Sequence, residues 1–246
     1  MPEPLIEFRN VSYAAGERRI LENLNLQVLA GETVVLLGRS GSGKTTALRL
    51  VNGMLQAASG SVTVLGKSVP DWEPERLKRS IGYVIQEGGL LPHFTVARNV
   101  GLVPELEGWP KERIQARVDE LLHLVGLPME VYGSRMPRQL SGGQRQRVGV
   151  ARALAADPPV LLFDEPFGAL DPVTRAELQR EFLRLRMDLG KTSLFVTHDV
   201  REALLLGTRI VLLEAGRLLF DGTAANFRAS NLPALIAFQE GANDVF

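Results

Sequence analysis

The stretch Gly38–Thr46 reads GRSGSGKTT, and its reading decides the fold. It follows an apolar run, Thr33 to Leu37, with the character of a buried strand, and it precedes Ala47 to Met54, which has the character of a helix. Strand, glycine-rich loop, then Lys-Thr opening a helix is the P-loop order. Successive backbone N–H groups of such a loop curl around a phosphate, and the helix N-terminus adds its dipole. Gly38, Arg39, Ser40, Gly41, Ser42, Gly43, Lys44, Thr45 and Thr46 are therefore the candidate phosphate-binding residues. Gly41 and Gly43 let the backbone approach closely or adopt positive φ. Lys44 can reach β- and γ-phosphates, and the Thr45 hydroxyl suits Mg²⁺. The bland alternative is a flexible Gly/Ser loop, which leaves the flanking strand and helix unexplained.

The bulk composition narrows the class. With 246 residues, 45% hydrophobic and 23% charged, the chain has the balance of a globular protein. A formal net charge of +0 gives no global field to draw nucleic acid or an anionic membrane surface. Absence of cysteine excludes disulfides and thiolate metal sites. MPEPLIEF lacks the basic and apolar regions of a secretory signal, and no apolar run approaches the ~18 residues of a membrane span. A cytoplasmic protein is the expectation.

Working outward, Ile6, Phe8 and Val11 suit one strand, Leu24, Leu26 and Val28 another, and Val62 and Val64 a third ending at Gly66. So many strands close together predict a small antiparallel sheet beside a nucleotide-binding core. Arg76 to Ser80 suits a short helix, and Ile81 to Ile85 a buried strand ending at Gln86. From Thr95 to Ala156 the pattern turns helical. Ile114, Val118, Leu121, Leu122 and Val125 share one face, between Pro110 and Gly126. A second helix should begin near Ser141, with Val148, Ala151, Leu154 and Ala155 inward, and stop before Pro158-Pro159. The core resumes with Val160 to Phe163, a helix from Asp171-Pro172 lined by Leu178, Phe182, Leu185 and Leu189, a strand from Ser193 to Val196, and a hairpin turning at Ala215-Gly216. The tail beyond Gly222 is weakly patterned.

Two further stretches carry chemistry. VLLFDE ends an apolar strand on Asp164 and Glu165, at the end where α/β sheets place ligands. Asp164 can hold Mg²⁺ through water, and Glu165 can orient or deprotonate an attacking water. A solvated turn or helix cap is the plainer reading of the same pair. LSGGQ, at Leu140 to Gln144, gives Ser141 the shape of an N-cap, while Gly142 and Gly143 leave the first N–H groups uncovered. Packing would explain the glycines equally well. The chain thus has a pair of phosphate-receiving helix ends separated by a helical insertion, and they need not meet within one molecule.

Taken in kind and order, GRSGSGKTT, Gln86 after a strand, LSGGQ, VLLFDE, ALD at Ala169 to Asp171 and His198 after a strand resemble the nucleotide-binding subunit of ABC transporters, over nearly all of residues 5–225. The resemblance implies an α/β fold: a P-loop NTPase (RecA-like) core with an antiparallel β subdomain and an inserted α-helical subdomain. It implies a single ABC ATPase domain over 1–246, with the helical part at about 88–157 and a short tail at about 223–246. It implies two copies paired head to tail, each ATP lying between one P-loop and Ser141, Gly142, Gly143 and Gln144 of the other copy. On this resemblance Tyr13 stacks on adenine, Gln86 lies near Mg²⁺ and the attacking water, His198 contacts the γ-phosphate and supports Glu165, and Asp171 lies at the dimer interface. Glu165, His198, Gln86 and Lys44 are then the catalytic set, and Thr45, Gln86 and Asp164 the metal set. His93 and His123 match no motif. Arg145 and Arg147 are expected to orient their helix rather than bind nucleic acid.

The stretch Ile81 to Trp109, with DEPFGALDPVTR at Asp164 to Arg175, further resembles the cassettes of osmoprotectant importers that take up glycine betaine, choline or carnitine. Importers of other solutes share DEPFGALD. An importer of another small solute, an exporter cassette and a non-transport ABC clamp remain the alternatives. Many relatives carry a pair of CBS domains after the cassette, whereas this sequence ends at Phe246. The expected partners are a second cassette, identical or not, transmembrane permease subunits and, indirectly, a substrate-binding protein. The expected location is the inner face of the cell membrane, held there through the permease.

Overall fold

The fold was described from a computed structural model covering residues 3–86, 89–168, 170–236 and 238, with side chains omitted at 185–189. In chain order the elements begin with β1 (Pro4–Ala15), β2 (Arg18–Leu29), β3 (Thr33–Leu37), α1 (Lys44–Val51), β4 (Ser59–Val64), β5 (Lys67–Ser68), α2 (Pro74–Arg79) and β6 (Ile81–Val84). The helical stretch is α3 (Val96–Leu106), α4 (Lys111–Leu124), α5 (Met129–Tyr132) and α6 (Gly142–Leu154). Then come β7 (Val160–Asp164), α7 (Pro172–Leu189), β8 (Thr192–Thr197), α8 (Val200–Leu206), β9 (Arg209–Glu214), β10 (Arg217–Gly222) and α9 (Ala224–Ala229).

The chain forms two compact units, one of residues 1–77 and 190–246, the other of residues 78–189. In the first, β2, β1, β4 and β5 form the expected antiparallel sheet. A second sheet runs β10-β9-β3-β8, with β3 parallel to both neighbours. Val34, Val35, Leu36 and Leu37 have no exposed surface, as a doubly covered parallel strand requires. Threonines close the entry to this sheet: the Thr33 N–H donates to Thr208 Oγ1, and the Gly31 N–H to Thr192 Oγ1.

Helix α1 is shorter than its apolar pattern suggests. It stops at Val51, and Met54 lies outside it, half exposed. Gly53 takes φ +71°, which reverses the chain and ends the helix before Met54 can join it. Helix α2 starts earlier than expected, because Pro74 presets the φ of a first helical turn.

In the second unit β6 pairs in parallel with β7, Val84 opposite Phe163. Helices α3 to α6 lie inside this unit. Gly101 lets α3 approach α4, since a Cβ there would lie 3.0 Å from Ile114 and 3.3 Å from Val118. Gly82 does the same for α6 on β6, a Cβ there meeting the Ala153 carbonyl oxygen at 2.4 Å. Val148, Ala151 and Leu154 of α6 are buried as expected, and Phe163 meets Phe182 of α7 edge-on at 4.8 Å. Ala169 lies outside the described residues, as do the side chains of Leu185 and Leu189. Among the described residues no helix is long and apolar enough to cross a membrane.

Candidate active site

The site residues gather at strand ends, in each unit separately. In the first unit Leu37 of β3 is in register with Thr197 of β8, so the loop at Gly38 and the turn at His198 leave the same edge of the sheet. Gly41 takes φ +80° and Gly43 φ +104°, conformations that a Cβ would strain. Space imposes the same choice. A Cβ on Gly43 would lie 2.6 Å from Leu21 Cδ2, and one on Gly38 would lie 2.3 Å from the Leu213 carbonyl oxygen. The loop is braced from the β9–β10 turn, where the Gly216 N–H donates to the Ser42 carbonyl.

Lys44 is 5% exposed and folds back over the loop, its Nζ donating to the carbonyls of Gly38 at 2.8 Å and Arg39 at 3.0 Å. A buried ammonium held on the rim of a glycine loop is where a phosphate would meet it. Ser42 Oγ is also buried and has no hydrogen-bond partner among the described residues. A buried hydroxyl rarely stays unpartnered, and a phosphate oxygen in the loop would supply the acceptor. Thr45 and Thr46 open α1 half-buried, while Arg39 and Ser40 are exposed at the tip. The Arg39 guanidinium lies 5.9 Å from the Phe238 ring centre. The sequence reading missed Arg18, whose guanidinium is 3.7 Å from the Cβ position of Gly41. No spacing rule connects a hairpin arginine to that loop.

Tyr13 sits half-buried on β1 opposite Leu21, with register shifts on either side of it, and Leu21 is the residue against Gly43. His198 is exposed, but its turn is fixed on both sides. Thr197 Oγ1 donates to Glu202 Oε2 at 2.6 Å and accepts from the Asp199 N–H at 3.0 Å. Asp199 in turn caps α8 through the N–H groups of Arg201 and Glu202.

In the second unit the parallel register of β6 and β7 brings Gln86 and the Asp164-Glu165 pair to one edge. Around Gly168 they converge further: the Cβ position of that glycine is 3.5 Å from Gln86 Nε2 and 3.7 Å from Glu165 Oε2. Glu165 adopts φ +45°, uncommon for a residue with a side chain. Such a backbone costs about 1–3 kcal/mol and persists where the surroundings fix it. Here the turn is closed by the Gly168 N–H on the Glu165 carbonyl. Asp164 accepts a hydrogen bond from the Tyr83 hydroxyl at 3.2 Å.

Ser141 caps α6 as expected, in a reciprocal box: its Oγ accepts from the Gln144 N–H, and Gln144 Oε1 accepts from the Ser141 N–H. The two glycines differ. Gly143 is required for packing, since a Cβ would meet Thr174 Cγ2 at 2.4 Å, whereas around Gly142 the nearest atom is 3.8 Å away. Packing and an open helix end are thus divided between neighbouring positions. Asp171 is the N-cap of α7, accepting from the Val173 and Thr174 N–H groups. The Thr174 hydroxyl and then its backbone N–H hold the Asp171 carboxyl below the ordinary carboxylate range.

Arg145 and Arg147 are tied to groups around their helix. Arg145 Nη1 donates to the Leu140 carbonyl at 2.7 Å, and Arg147 pairs with Glu181 at 2.6 Å and donates to the Val125 carbonyl. Gln146 and Arg152, which the sequence reading left unassigned, donate to the carbonyls of Ile85 and Gly89 on either side of the Gln86 turn. Gln146 is buried on α6, 3% exposed, which its neighbours in sequence do not announce. His93 and His123 are exposed.

The family model described as ABC transporter matches residues 21–168. The choline transport ATP-binding protein of Bacillus subtilis is 47% identical over 220 residues, 89% of this chain and 58% of that protein. A glycine betaine/carnitine/choline transport ATP-binding protein of the same organism is 48% identical over 85% of this chain and 54% of its own length. The glycine betaine uptake system ATP-binding protein of Escherichia coli is 48% identical over 89% and 70%, respectively. The chain therefore spans little more than half the length of the two Bacillus relatives. Among solved structures, a dimeric ATP-binding cassette in a post-hydrolysis state with ADP and Pi superposes with a TM-score of 0.79 at 34% identity, covering 89% of this chain and 98% of that one.

Proposed function

The chain belongs to the ABC transporter family, and from that premise we propose that it is the ATP-hydrolysing subunit of an importer, driving uptake of a quaternary-amine osmoprotectant through separate membrane subunits. One observation carries the substrate class: proteins 47–48% identical over most of this chain are ATP-binding proteins for choline, carnitine or glycine betaine transport. Deleting the gene in its host and measuring uptake of labelled choline and glycine betaine at high osmolarity tests it. Loss of either uptake is the expected result, and unchanged uptake of both would reject the substrate class.

Two copies pair head to tail around two Mg-ATP. The loop amides from Gly38 to Thr46 and Lys44 receive the triphosphate of one, Tyr13 stacks on its adenine, and the capped end at Ser141 to Gln144 of the partner copy closes on it. The donor set suits Mg²⁺, a hard cation that takes oxygen ligands and keeps waters. Thr45, Gln86 and Asp164 would hold it, and it would neutralise charge on the β- and γ-oxygens. Glu165 accepts the proton of the attacking water, and Gln86 orients that water. Lys44 stabilises charge developing on the transferred phosphoryl group. Closure moves the helical unit against a cytoplasmic segment of the permease, which is how hydrolysis reaches the membrane. The protein is thereby peripheral on the inner face.

His198 has a narrower role, contacting the γ-phosphate and supporting Glu165 from a turn that Thr197, Asp199 and Glu202 hold in place. His198→Ala is expected to lose most turnover while keeping nucleotide affinity, as read by steady-state phosphate release and by equilibrium binding of a fluorescent ATP. Near-normal turnover would remove His198 from the mechanism.

A further inference from the structure

Strand β6 reads Ile81-Gly82-Tyr83-Val84 and carries a phenol where its neighbours are apolar. Tyr83 lies opposite Leu162 of β7 in the parallel register. Residues two apart on a strand share a face, so Tyr83, Leu162 and Asp164 project from the same side of this pair. One step of that face is about 6.6 Å along the strand, a span the ring and hydroxyl of tyrosine cover and a shorter side chain would not. The result is the hydrogen bond already noted, Tyr83 Oη donating to Asp164 Oδ2 at 3.2 Å. Packing does not require the oxygen. A phenylalanine would fill the same half-buried place without the bond to the carboxylate.

We propose that Tyr83 is a positioning residue for the divalent cation, fixing the rotamer in which Asp164 presents its carboxylate. This rests on the reading above that Asp164 serves Mg-nucleotide. A carboxylate has acceptor capacity for several donors, so one phenolic bond leaves it able to accept from waters around a cation while limiting its rotation. Partners of this kind orient metal-binding groups, and their loss typically costs about 10- to 100-fold in metal affinity.

The test uses the full chain, Mn²⁺ as the probe and a non-hydrolysable ATP analogue, with free Mn²⁺ read by electron paramagnetic resonance. Tyr83→Phe is expected to weaken Mn²⁺ binding by about 10- to 100-fold, with unchanged binding of the analogue in EDTA. Combined with Asp164→Asn, it should add little to the loss from Asp164→Asn alone, as coupled residues do. Wild-type Mn²⁺ affinity in Tyr83→Phe, or a double variant whose losses simply add, would overturn the assignment. If instead the unaltered chain bound Mn²⁺ no better with the analogue than without it, the proposed function would fall together with this inference.

Discussion

Glu165→Gln is expected to bind ATP, to hydrolyse it about 10²- to 10⁴-fold more slowly than the unaltered chain, and to accumulate as a dimer only when ATP is present. Glutamine keeps the length of the side chain and suits the backbone at φ +45° no worse than glutamate does. The variant therefore isolates the carboxylate. On the proposed mechanism that carboxylate accepts the proton of the attacking water, so its loss slows hydrolysis and prolongs the closed state. Single-turnover hydrolysis gives the first quantity and size-exclusion chromatography with and without ATP the second. A variant that stayed monomeric at saturating ATP would contradict the head-to-tail model.

Lys44→Ala should have a comparably large effect, beginning at binding. Lys44 is 5% exposed, and its ammonium donates to two loop carbonyls. A hydrogen bond to a charged group contributes about 1.5–3 kcal/mol, so affinity for ATP should fall by about 10- to 150-fold, measured by calorimetry with a slowly hydrolysed analogue. Turnover should fall further than affinity, because on the proposed mechanism the same charge also stabilises the transition state. Lys44→Arg is not expected to rescue either quantity, since a planar guanidinium does not fit the space of a compact ammonium. Affinity within threefold of the unaltered chain would mean that the loop amides alone hold the triphosphate.

Much of this site was legible in the sequence because local rules suffice for it. The apolar run to Leu37, the loop glycines and the N-cap at Ser141 each announce a backbone conformation within a few residues, and the structure has each of them. Contacts between distant residues are what remained hidden. Nothing near Tyr83 signals a carboxylate 81 positions away, and only the parallel register of β6 and β7 supplies it. Gly142 and Gly143 read alike in sequence and differ in the fold because Thr174 of another helix crowds one of them. Ala47 to Met54 was expected to be helical, yet the positive φ of Gly53 decides where the helix ends. The short helix α9 was missed for the opposite reason: its Thr223 cap was readable, but Ala224–Ala229 buries little beyond Phe227, too few apolar positions to show a period.

The central claim is that each nucleotide lies between two copies of the chain, the loop of one facing the capped helix of the other. The native sequence has no cysteine, so a cysteine pair reports on this directly. Ser40→Cys and Ser141→Cys, each at an exposed position, are placed in separate chains of the Glu165→Gln background, and the chains are mixed with ATP and oxidised. An ATP-dependent disulfide at dimer mass is expected between unlike chains and none within either chain type alone. An ATP-dependent disulfide inside a single chain carrying both cysteines, with no dimer from the mixture, would contradict it.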